Sequence, residues 1–324
     1  MRIRVASYDN AIIIVYNLTA GVQARWLRLA VPPRDRFREA RTSCLALQAH
    51  VIKMDPSRAS FEAYLKFLAE TPDDGKPVIL ETDHALSLHF DVHATQSLMS
   101  RRDPDKLVLG YTRTMMGFLL LRPAPARISM IGLGGGSLAK YCYRHLPNAK
   151  VVAIEIDPAV IALRDTFHIP PDDDRLEVIC ADGAEYVKGQ DARPDVIMVD
   201  GFLAHGMPAQ LGTADFYGAC HARLADDGVL VANFLESDQD IPFYLEEVRS
   251  VFGESFAVSL SEDSCNYTLF AWKGAWTLPS LETLLARARI LETAHALNLR
   301  SAARRLKQGK RLASDWRFWR KLGG

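Results

Sequence analysis

The sequence lacks an excess of charge of either sign, because 39 Lys and Arg residues balance 39 Asp and Glu residues among its 324 residues. A chain with this balance has no overall attraction to nucleic acid or to an anionic membrane surface. A long apolar run is also missing. The most apolar central stretch, residues 107–121, contains Arg113 and is too short to cross a bilayer. We therefore expect a protein without a membrane-spanning segment.

Cysteines are few and scattered, with no CxxC pair. An odd, unspaced set indicates reduced thiols and excludes a disulfide framework or a zinc site. The first 20 residues contain no recognisable secretory leader. Three alternating histidines lack the acidic partners of a metal site: His84, His89 and His93. These absences predict a cytoplasmic protein that uses no metal.

The 48% of apolar residues suffices for one large domain or two unequal ones. A loop rich in Pro, Gly and Asp at 71–77 separates a region that is hard to interpret from two strand-like runs. We predict four regions, which are an N-terminal extension of unclear structure (1–75), a small β domain (76–106), a main α/β domain (107–273) and a basic helical tail (274–324).

Within the main domain, apolar strand-like runs alternate with helical patterns. This alternation predicts a parallel sheet with helices on both faces, and the segment FAVSLSEDSCNYTLFAWKG predicts a closing antiparallel hairpin. The layout resembles the Rossmann-like sheet of class I S-adenosylmethionine (SAM) dependent methyltransferases. The predicted strands are 128–132, 151–155, 176–180, 195–200 and 228–234, and the predicted helices are 107–121, 136–146, 158–166, 183–188, 213–224 and 240–252.

A GxGxG motif of Gly132, Gly134 and Gly136 follows an apolar strand and opens a helix. Glycine permits a tight turn there and lets a ligand approach the helix N-terminus. Glu155 follows Gly136 by 19 residues, at the end of the next strand, where a carboxylate can accept both ribose hydroxyl protons. The pattern predicts a nucleoside site, with a purely structural glycine turn as the alternative.

The next strand distinguishes between nucleosides. Asp182 and Gly183 stand at its end, where an acid meets the adenine amino group in SAM-type folds, although a simple turn role is also open. Ser137 stands where the NAD fingerprint requires Gly or Ala. Both observations favour a SAM-type nucleoside over NAD.

Four segments together resemble the spermidine synthase (polyamine aminopropyltransferase) family over about residues 78–273. They are GLGGGSLAKY, EIDPAVIALRDTF, DGAEYV and residues 195–234. That family has a small β domain before a Rossmann-like domain. It transfers an aminopropyl group from decarboxylated SAM to an amine such as putrescine and releases methylthioadenosine.

The resemblance implies a role for each matching residue. Asp200 falls on the first Asp of the family's D-x-x-D-P loop, which orients and deprotonates the amine, although a helix cap or loop tie is equally open. On the acceptor side the implied residues are Tyr111, Tyr217 and Asn233, with a core role also open for Tyr217. Apart from the resemblance, His205 follows Asp200 by five residues and could exchange a proton at neutral pH, with an ordinary loop role as the favoured alternative. The cofactor-binding set is Gly132, Gly134, Gly136, Ser137, Glu155, Ile156, Asp182, Gly183 and Gln96.

Departures from the family pattern concern charge. Ser137 replaces an Asp of the glycine loop, Leu203 replaces the second loop Asp and Ala204 the Pro, and Arg113 replaces a Glu. Burying a polyamine without carboxylate partners costs several kcal/mol, so putrescine is disfavoured. A neutral Ser137 also removes repulsion of the SAM carboxylate, worth about 1–4 kcal/mol.

We therefore expect a transferase whose substrate is SAM or decarboxylated SAM and whose small-molecule acceptor is not a polyamine. Two alternatives stay open, a true polyamine aminopropyltransferase and a catalytically inactive nucleoside-binding protein. Residues 300–321 contain nine basic residues together with Trp316, Phe318 and Trp319. This tail is interpreted as a packed helix, with nucleic-acid or partner binding as the alternative. Members of the family often form dimers or tetramers, so the resemblance also allows a homo-oligomer here.

Overall fold

A computed structural model describes residues 76–90, 95–189, 193–201 and 206–313, and the backbone of three earlier strands. Several predictions lie outside the described residues, namely those for the loop residues Leu203, Ala204 and His205 and for the aromatic residues of the tail.

The centre of the molecule is a seven-stranded sheet in the order β12-β13-β11-β10-β7-β8-β9. Strands β7 to β11 are parallel, whereas β13 runs antiparallel to both of its neighbours. The predicted parallel sheet with a C-terminal hairpin is confirmed, and it is the Rossmann-like class I methyltransferase arrangement. The strands are β7 (Arg127–Ile131), β8 (Lys150–Glu155), β9 (Leu176–Cys180), β10 (Val196–Val199), β11 (Val229–Leu235), β12 (Phe256–Leu260) and β13 (Asn266–Trp272).

Helices cover this sheet and extend into the tail. They are α1 (Gly110–Met115), α2 (Ser137–His145), α3 (Pro158–Ile161), α4 (Gly183–Tyr186), α5 (Ala214–Arg223), α6 (Ile241–Phe252), α7 (Leu281–Leu291) and α8 (Leu299–Ala313), with 3-10 turns at Met116–Leu120 and Ala209–Leu211.

Three predicted helices are shorter than expected. The helix predicted at 107–121 is α1 followed by the 3-10 turn, and α3 and α4 end after four residues each. After α3, i→i+3 hydrogen bonds take over and lead to His168, whose φ is 54°. Such tighter turns let the chain reverse direction, which a continued α-helix does not allow.

Successive strand residues point to opposite faces of the sheet, and each face has its own core. Ile128 and Met130 belong to the face that packs against α2, α7 and α8, while Ile131 belongs to the face that carries α5 and α6. In the tail, α8 packs against the edge strand β12. A side chain on Gly309 of α8 would come within 2.0 Å of the Val258 carbonyl oxygen, so this close approach requires glycine.

A separate four-stranded sheet precedes the main domain in the order β3-β4-β5-β6. Its first strand lies ahead of the predicted boundary at residue 76, and the other three cover the predicted small β domain. A two-stranded hairpin, β1 (Arg2–Tyr8) with β2 (Ala11–Asn17), precedes it in the chain. Across the described residues, no helix combines the length and apolarity that a bilayer crossing requires. The four strands are β3 (His50–Lys53), β4 (Val78–Glu81), β5 (Ala85–His89) and β6 (Thr95–Ser100).

Candidate active site

The glycine loop joins β7 to α2 and is built from residues with positive φ. Gly132, Gly134 and Gly136 have φ values of 95°, 52° and 68°, a region that disfavours residues with a side chain. A Cβ atom on Gly132 would lie 2.3 Å from the Asp200 carbonyl oxygen. The loop therefore brings the backbone of β7 against the end of β10, and it presents the N-terminus of α2 to a ligand.

Glu155, at the end of β8, is tied to the glycine loop. Its Oε2 accepts a hydrogen bond from the Leu133 amide at 2.9 Å, and its Oε1 accepts one from the Asp157 amide at 3.0 Å. Each carboxylate oxygen retains a further lone pair for a hydroxyl group. The next residue, Ile156, is 56% exposed and places an apolar surface at the same edge. This arrangement suits a ribose with a flat base beside it.

Asp182 and Gly183 lie at the same edge of the sheet. Glu155 pairs in register with Cys180 of β9, two residues before Asp182. The Oδ1 atom of Asp182 caps α4 by accepting from the Ala184 amide at 2.7 Å, so the carboxylate is held in one orientation. A side chain on Gly183 would lie 2.3 Å from Cγ2 of Ile131.

Strand β6 of the small sheet closes the site from the other side. Ser97 Oγ lies 3.4 Å from Ser137 Oγ, and a Cβ atom on Gly135 would come within 2.7 Å of the same Ser97 oxygen. The backbone carbonyl oxygen of the neighbouring Gln96 lies 3.4 Å from the Tyr111 hydroxyl oxygen. Ser97 was missed in the sequence because no motif distinguishes it.

Asp200 follows β10 and is half-buried at the centre of this edge. Asn233 of β11 donates from Nδ2 to its Oδ1 at 2.9 Å, and the Tyr111 hydroxyl also bonds to the carboxylate. Burial raises the pKa of Asp200 to about 6, while the hydrogen bonds from Asn233 and Tyr111 act in the opposite direction. A carboxylate with this pKa is ionised at neutral pH and is a stronger proton acceptor than an ordinary Asp.

Tyr111 remains a hydrogen-bond donor over the whole neutral range. Burial raises its pKa well above the usual value, and the negative charges of Asp200 and Asp263 raise it further. A protonated Tyr111 therefore orients the Asp200 carboxylate between α1 and β10. Tyr111 and Asn233, both predicted on the acceptor side, thus contact the same carboxylate, that of Asp200.

The sequence-based interpretation of Arg113 is wrong. Its Nε donates to Oε2 of Glu262 at 2.7 Å, and its Nη1 donates to the carbonyls of Leu107 and Val108 at 2.9 and 2.6 Å. Glu262 also pairs with Arg305 of α8 at 3.3 Å. Because these partners hold the guanidinium in place, Arg113 is not an unpaired positive charge on the acceptor side.

The sequence did not single out two carboxylates, Asp263 and Asp238, that lie just after strands of the main sheet. Asp263, in the turn between β12 and β13, accepts from the Gly110 amide at 2.9 Å. Asp238 follows β11, and burial raises its pKa; one of its oxygens lies 3.7 Å from the Cβ position of Gly206. The available signal was the pair of acidic stretches LESDQD and SEDSCN, each directly after a strand.

Of the two roles left open for Tyr217, the structure shows the core one. It lies on α5 with no exposed surface, inside the core between that helix and the sheet. The structure therefore does not bring it to the acceptor side, because the apolar spacing of α5 turns it inwards. Within the described ranges, no group of three or more His, Cys, Asp or Glu side chains is arranged to hold a metal ion.

The fold defines a class, the α/β proteins with a Rossmann-like methyltransferase sheet. A family model described as spermine/spermidine synthase domain matches residues 108–261. A polyamine aminopropyltransferase of Chromobacterium violaceum is 38% identical over 231 residues, which are 71% of this chain and 88% of the relative. One from Neisseria meningitidis is 36% identical over 222 residues, which are 68% of this chain and 84% of the relative.

The chain therefore belongs to the spermine/spermidine synthase family. Among solved structures, a spermidine synthase in complex with the transition-state analogue AdoDATO superposes with a TM-score of 0.58 at 21% identity. The superposition covers 77% of this chain and 88% of that one. This likeness supports the fold of the main domain.

Proposed function

We propose that this protein is a polyamine aminopropyltransferase that uses decarboxylated SAM as the donor. The observation that carries the proposal is the half-buried Asp200 carboxylate, whose pKa of about 6 and fixed orientation suit an amine acceptor. It stands at the edge where Glu155 and Asp182 converge. The relatives at 36–38% identity carry the same activity in their names.

The chemistry needs positioning more than activation. The lone pair of a neutral amine attacks the propyl carbon next to the sulfonium, the C–N bond forms, and the C–S bond breaks. Its electrons leave with methylthioadenosine, and the new ammonium loses a proton. An alkylamine is mostly protonated at neutral pH, by analogy with the Lys pKa of about 10.4. Asp200 therefore orients the amine and accepts its proton.

The charges near Asp200 favour a cationic acceptor, against the expectation of a non-polyamine one. Arg113 is paired with Glu262. The charge of Asp263 acts on Tyr111, which bonds to Asp200, and Asp238 lies just after β11, the strand that supplies Asn233. Opposite charges that are held in place stabilise a partly buried ammonium. A diamine therefore finds partners that the isolated sequence motifs did not reveal.

Donor choice is a finer part of the proposal. The neutral hydroxyl groups of Ser97 and Ser137 lie side by side at the glycine loop. Neither repels a carboxylate, so full SAM is proposed to bind as a tolerated competitor, while decarboxylated SAM is the reacting donor.

The test is an assay of the purified chain with decarboxylated SAM and putrescine, in which spermidine and methylthioadenosine are quantified by chromatography. Equal amounts of both products are expected, and none when the amine is left out. Parallel reactions with cadaverine, spermidine and full SAM define specificity. Binding of methylthioadenosine without turnover of any amine would contradict the proposal, and a lack of nucleoside binding would remove the nucleoside site as well.

A further inference from the structure

A groove of about 310 Å³ lies on the main sheet at the end opposite the candidate active site. It crosses the first halves of β7 and β8 and the middle of β9, on the face that carries α4 and α5. Small-molecule pockets begin at about this volume. Its strand residues are Arg127, Ser129, Lys150, Val152, Glu177 and Ile179.

The groove exists because the connection from β9 to β10 covers little of the sheet. Within its described residues that connection contains only α4, a helix of four residues. Strands of a parallel sheet are usually buried on both faces. Here Val152 and Ile179 are half-exposed on the uncovered face, whereas the residues on the opposite face of the same strands lie in the core.

Two cations stand at the mouth of the groove, and among the described residues neither has a counterion. Arg127 and Lys150 are neighbours in the register of β7 and β8, and both are exposed. Neither side chain makes a hydrogen bond or an ion pair with any residue of the described part of the chain. Like charges on adjacent strand positions repel each other, and a bound anion would relieve this repulsion. Glu177 is the carboxylate of the lining, and it pairs with neither of them.

The inner wall of the groove is fixed by contacts within the protein. The Tyr186 hydroxyl lies 3.3 Å from Ser129 Oγ. The Arg223 guanidinium lies 4.3 Å above the Tyr186 ring, and it donates to the carbonyls of Tyr186 and Gly189 at 3.0 and 2.6 Å. These bonds hold the ring in place, so the wall is formed before a ligand arrives, which lowers the cost of binding.

We propose that this groove is a second binding site, for a small organic anion. Its apolar body packs on Val152 and Ile179, and its carboxylate, sulfonate or phosphate lies between Arg127 and Lys150. Along β7, Arg127 at the mouth of the groove lies five residues, or about 16 Å, from Gly132 of the glycine loop, and the inner residue Ser129 lies three residues, or about 10 Å, from it. Ligands can therefore occupy both sites together, and the proposal does not depend on the reaction that the protein catalyses.

The experiment uses the full chain and 8-anilinonaphthalene-1-sulfonate, an aromatic anion whose fluorescence rises on binding. Titrations are made with and without saturating methylthioadenosine. The double variant Arg127→Glu/Lys150→Glu is compared with Arg144→Glu/Arg289→Glu, a control that reverses two exposed charges on α2 and α7. One saturable site is expected, about tenfold or more weaker in the groove variant and unchanged in the control.

A neutral relative of the probe, N-phenyl-1-naphthylamine, separates charge from apolar contact, and its affinity is expected to be the same in all variants. Circular dichroism checks the fold, which substitutions at exposed positions should preserve. Equal affinity of the anion for the groove variant and the control would overturn the proposal. So would displacement of the probe by methylthioadenosine, since the probe would then occupy the nucleoside site.

Discussion

The two halves of the candidate active site are constructed differently. In the nucleoside half, the backbone determines the shape: three glycines take positive φ, and Glu155 is held by two amide groups. In the acceptor half, side chains from separate segments meet, as when Asn233 and Tyr111 bind Asp200. The nucleoside half therefore selects a ligand by its shape, whereas the acceptor half depends on charge and protonation.

This difference separates binding from catalysis. Burial raises the pKa values of Asp200, Asp238 and Tyr111, and all three lie on the acceptor side. Burial also raises the pKa of core groups such as Tyr217, so the position of these groups beside Asp200, and not the shift alone, connects them with proton exchange or charged substrates. Substitutions in the acceptor half should therefore change the rate, and substitutions in the nucleoside half should change affinity.

The largest expected effect comes from Asp200→Asn. The amide keeps the size of the side chain but accepts no proton at neutral pH, so kcat should fall about 100- to 10,000-fold. The dissociation constant of methylthioadenosine should stay within about threefold, because nucleoside contacts lie elsewhere. Turnover is measured from methylthioadenosine release and binding by calorimetry. Asp215→Asn, in the first turn of α5, is the matched control, and unchanged turnover in Asp200→Asn would remove Asp200 from the mechanism.

Glu155→Gln should have the next largest effect, and the quantity that changes should be the affinity for the nucleoside. Hydrogen bonds to a charged group contribute about 1.5–3 kcal/mol, so methylthioadenosine should bind about 10- to 100-fold more weakly. At saturating donor, kcat should change much less. Calorimetry and initial rates distinguish the two effects, with the exposed Glu246→Gln on α6 as control. A drop in kcat with unchanged affinity would show that the two halves are not separate.

The pH profile tests the acceptor half more finely. Because Asp200 accepts protons with a pKa of about 6, kcat/KM should fall about tenfold per pH unit below that value. Tyr111→Phe removes a hydrogen bond that lowers this pKa, so the acid limb should move to higher pH, by roughly half a unit to one unit. At pH 8 the rate should fall only about three- to tenfold. Tyr143→Phe, which removes an exposed hydroxyl group bonded to Asp173, should leave the pH profile unchanged. An unshifted acid limb in Tyr111→Phe would show that Tyr111 does not lower the pKa of Asp200.

The nucleoside half was accessible to sequence analysis because its information is local. Strand, glycine turn, helix and acidic strand end follow one another between residues 128 and 155, and each step has a steric reason. The same alternation correctly predicted the parallel sheet, and the polar turn predicted the hairpin. Helix lengths were less accessible, since the apolar spacing at 158–166 fits both an α-helix and the tighter turns that follow α3.

The acceptor half was not accessible, because residue types do not reveal partners distant in sequence. Arg113 and Glu262 are 149 residues apart, and Gly110 and Asp263 are 153 apart. Arg113 therefore looked like an added charge, and Asp238 and Asp263 looked like ordinary turn residues. Tyr217 shows the same limit, since its spacing on α5 did not distinguish a core position from an acceptor-facing one.

The smallest effect on catalysis is expected for Arg113→Gln, and this variant decides between the two interpretations of the acceptor half. If the ion pair with Glu262 keeps Arg113 from acting on the acceptor, replacing Arg113 should leave the KM for putrescine within about threefold. It should still lower the free energy of unfolding by about 2–4 kcal/mol, because Glu262 and two carbonyls lose a charged donor. The exposed pair of Arg101 and Glu81 supplies the control, since Arg101→Gln should cost less than about 1 kcal/mol. Urea unfolding and initial rates measure both quantities. A tenfold fall in the KM for putrescine would mean that Arg113 repels the acceptor after all, and the charge complementarity argued for Asp200, Asp238 and Asp263 would fail with it.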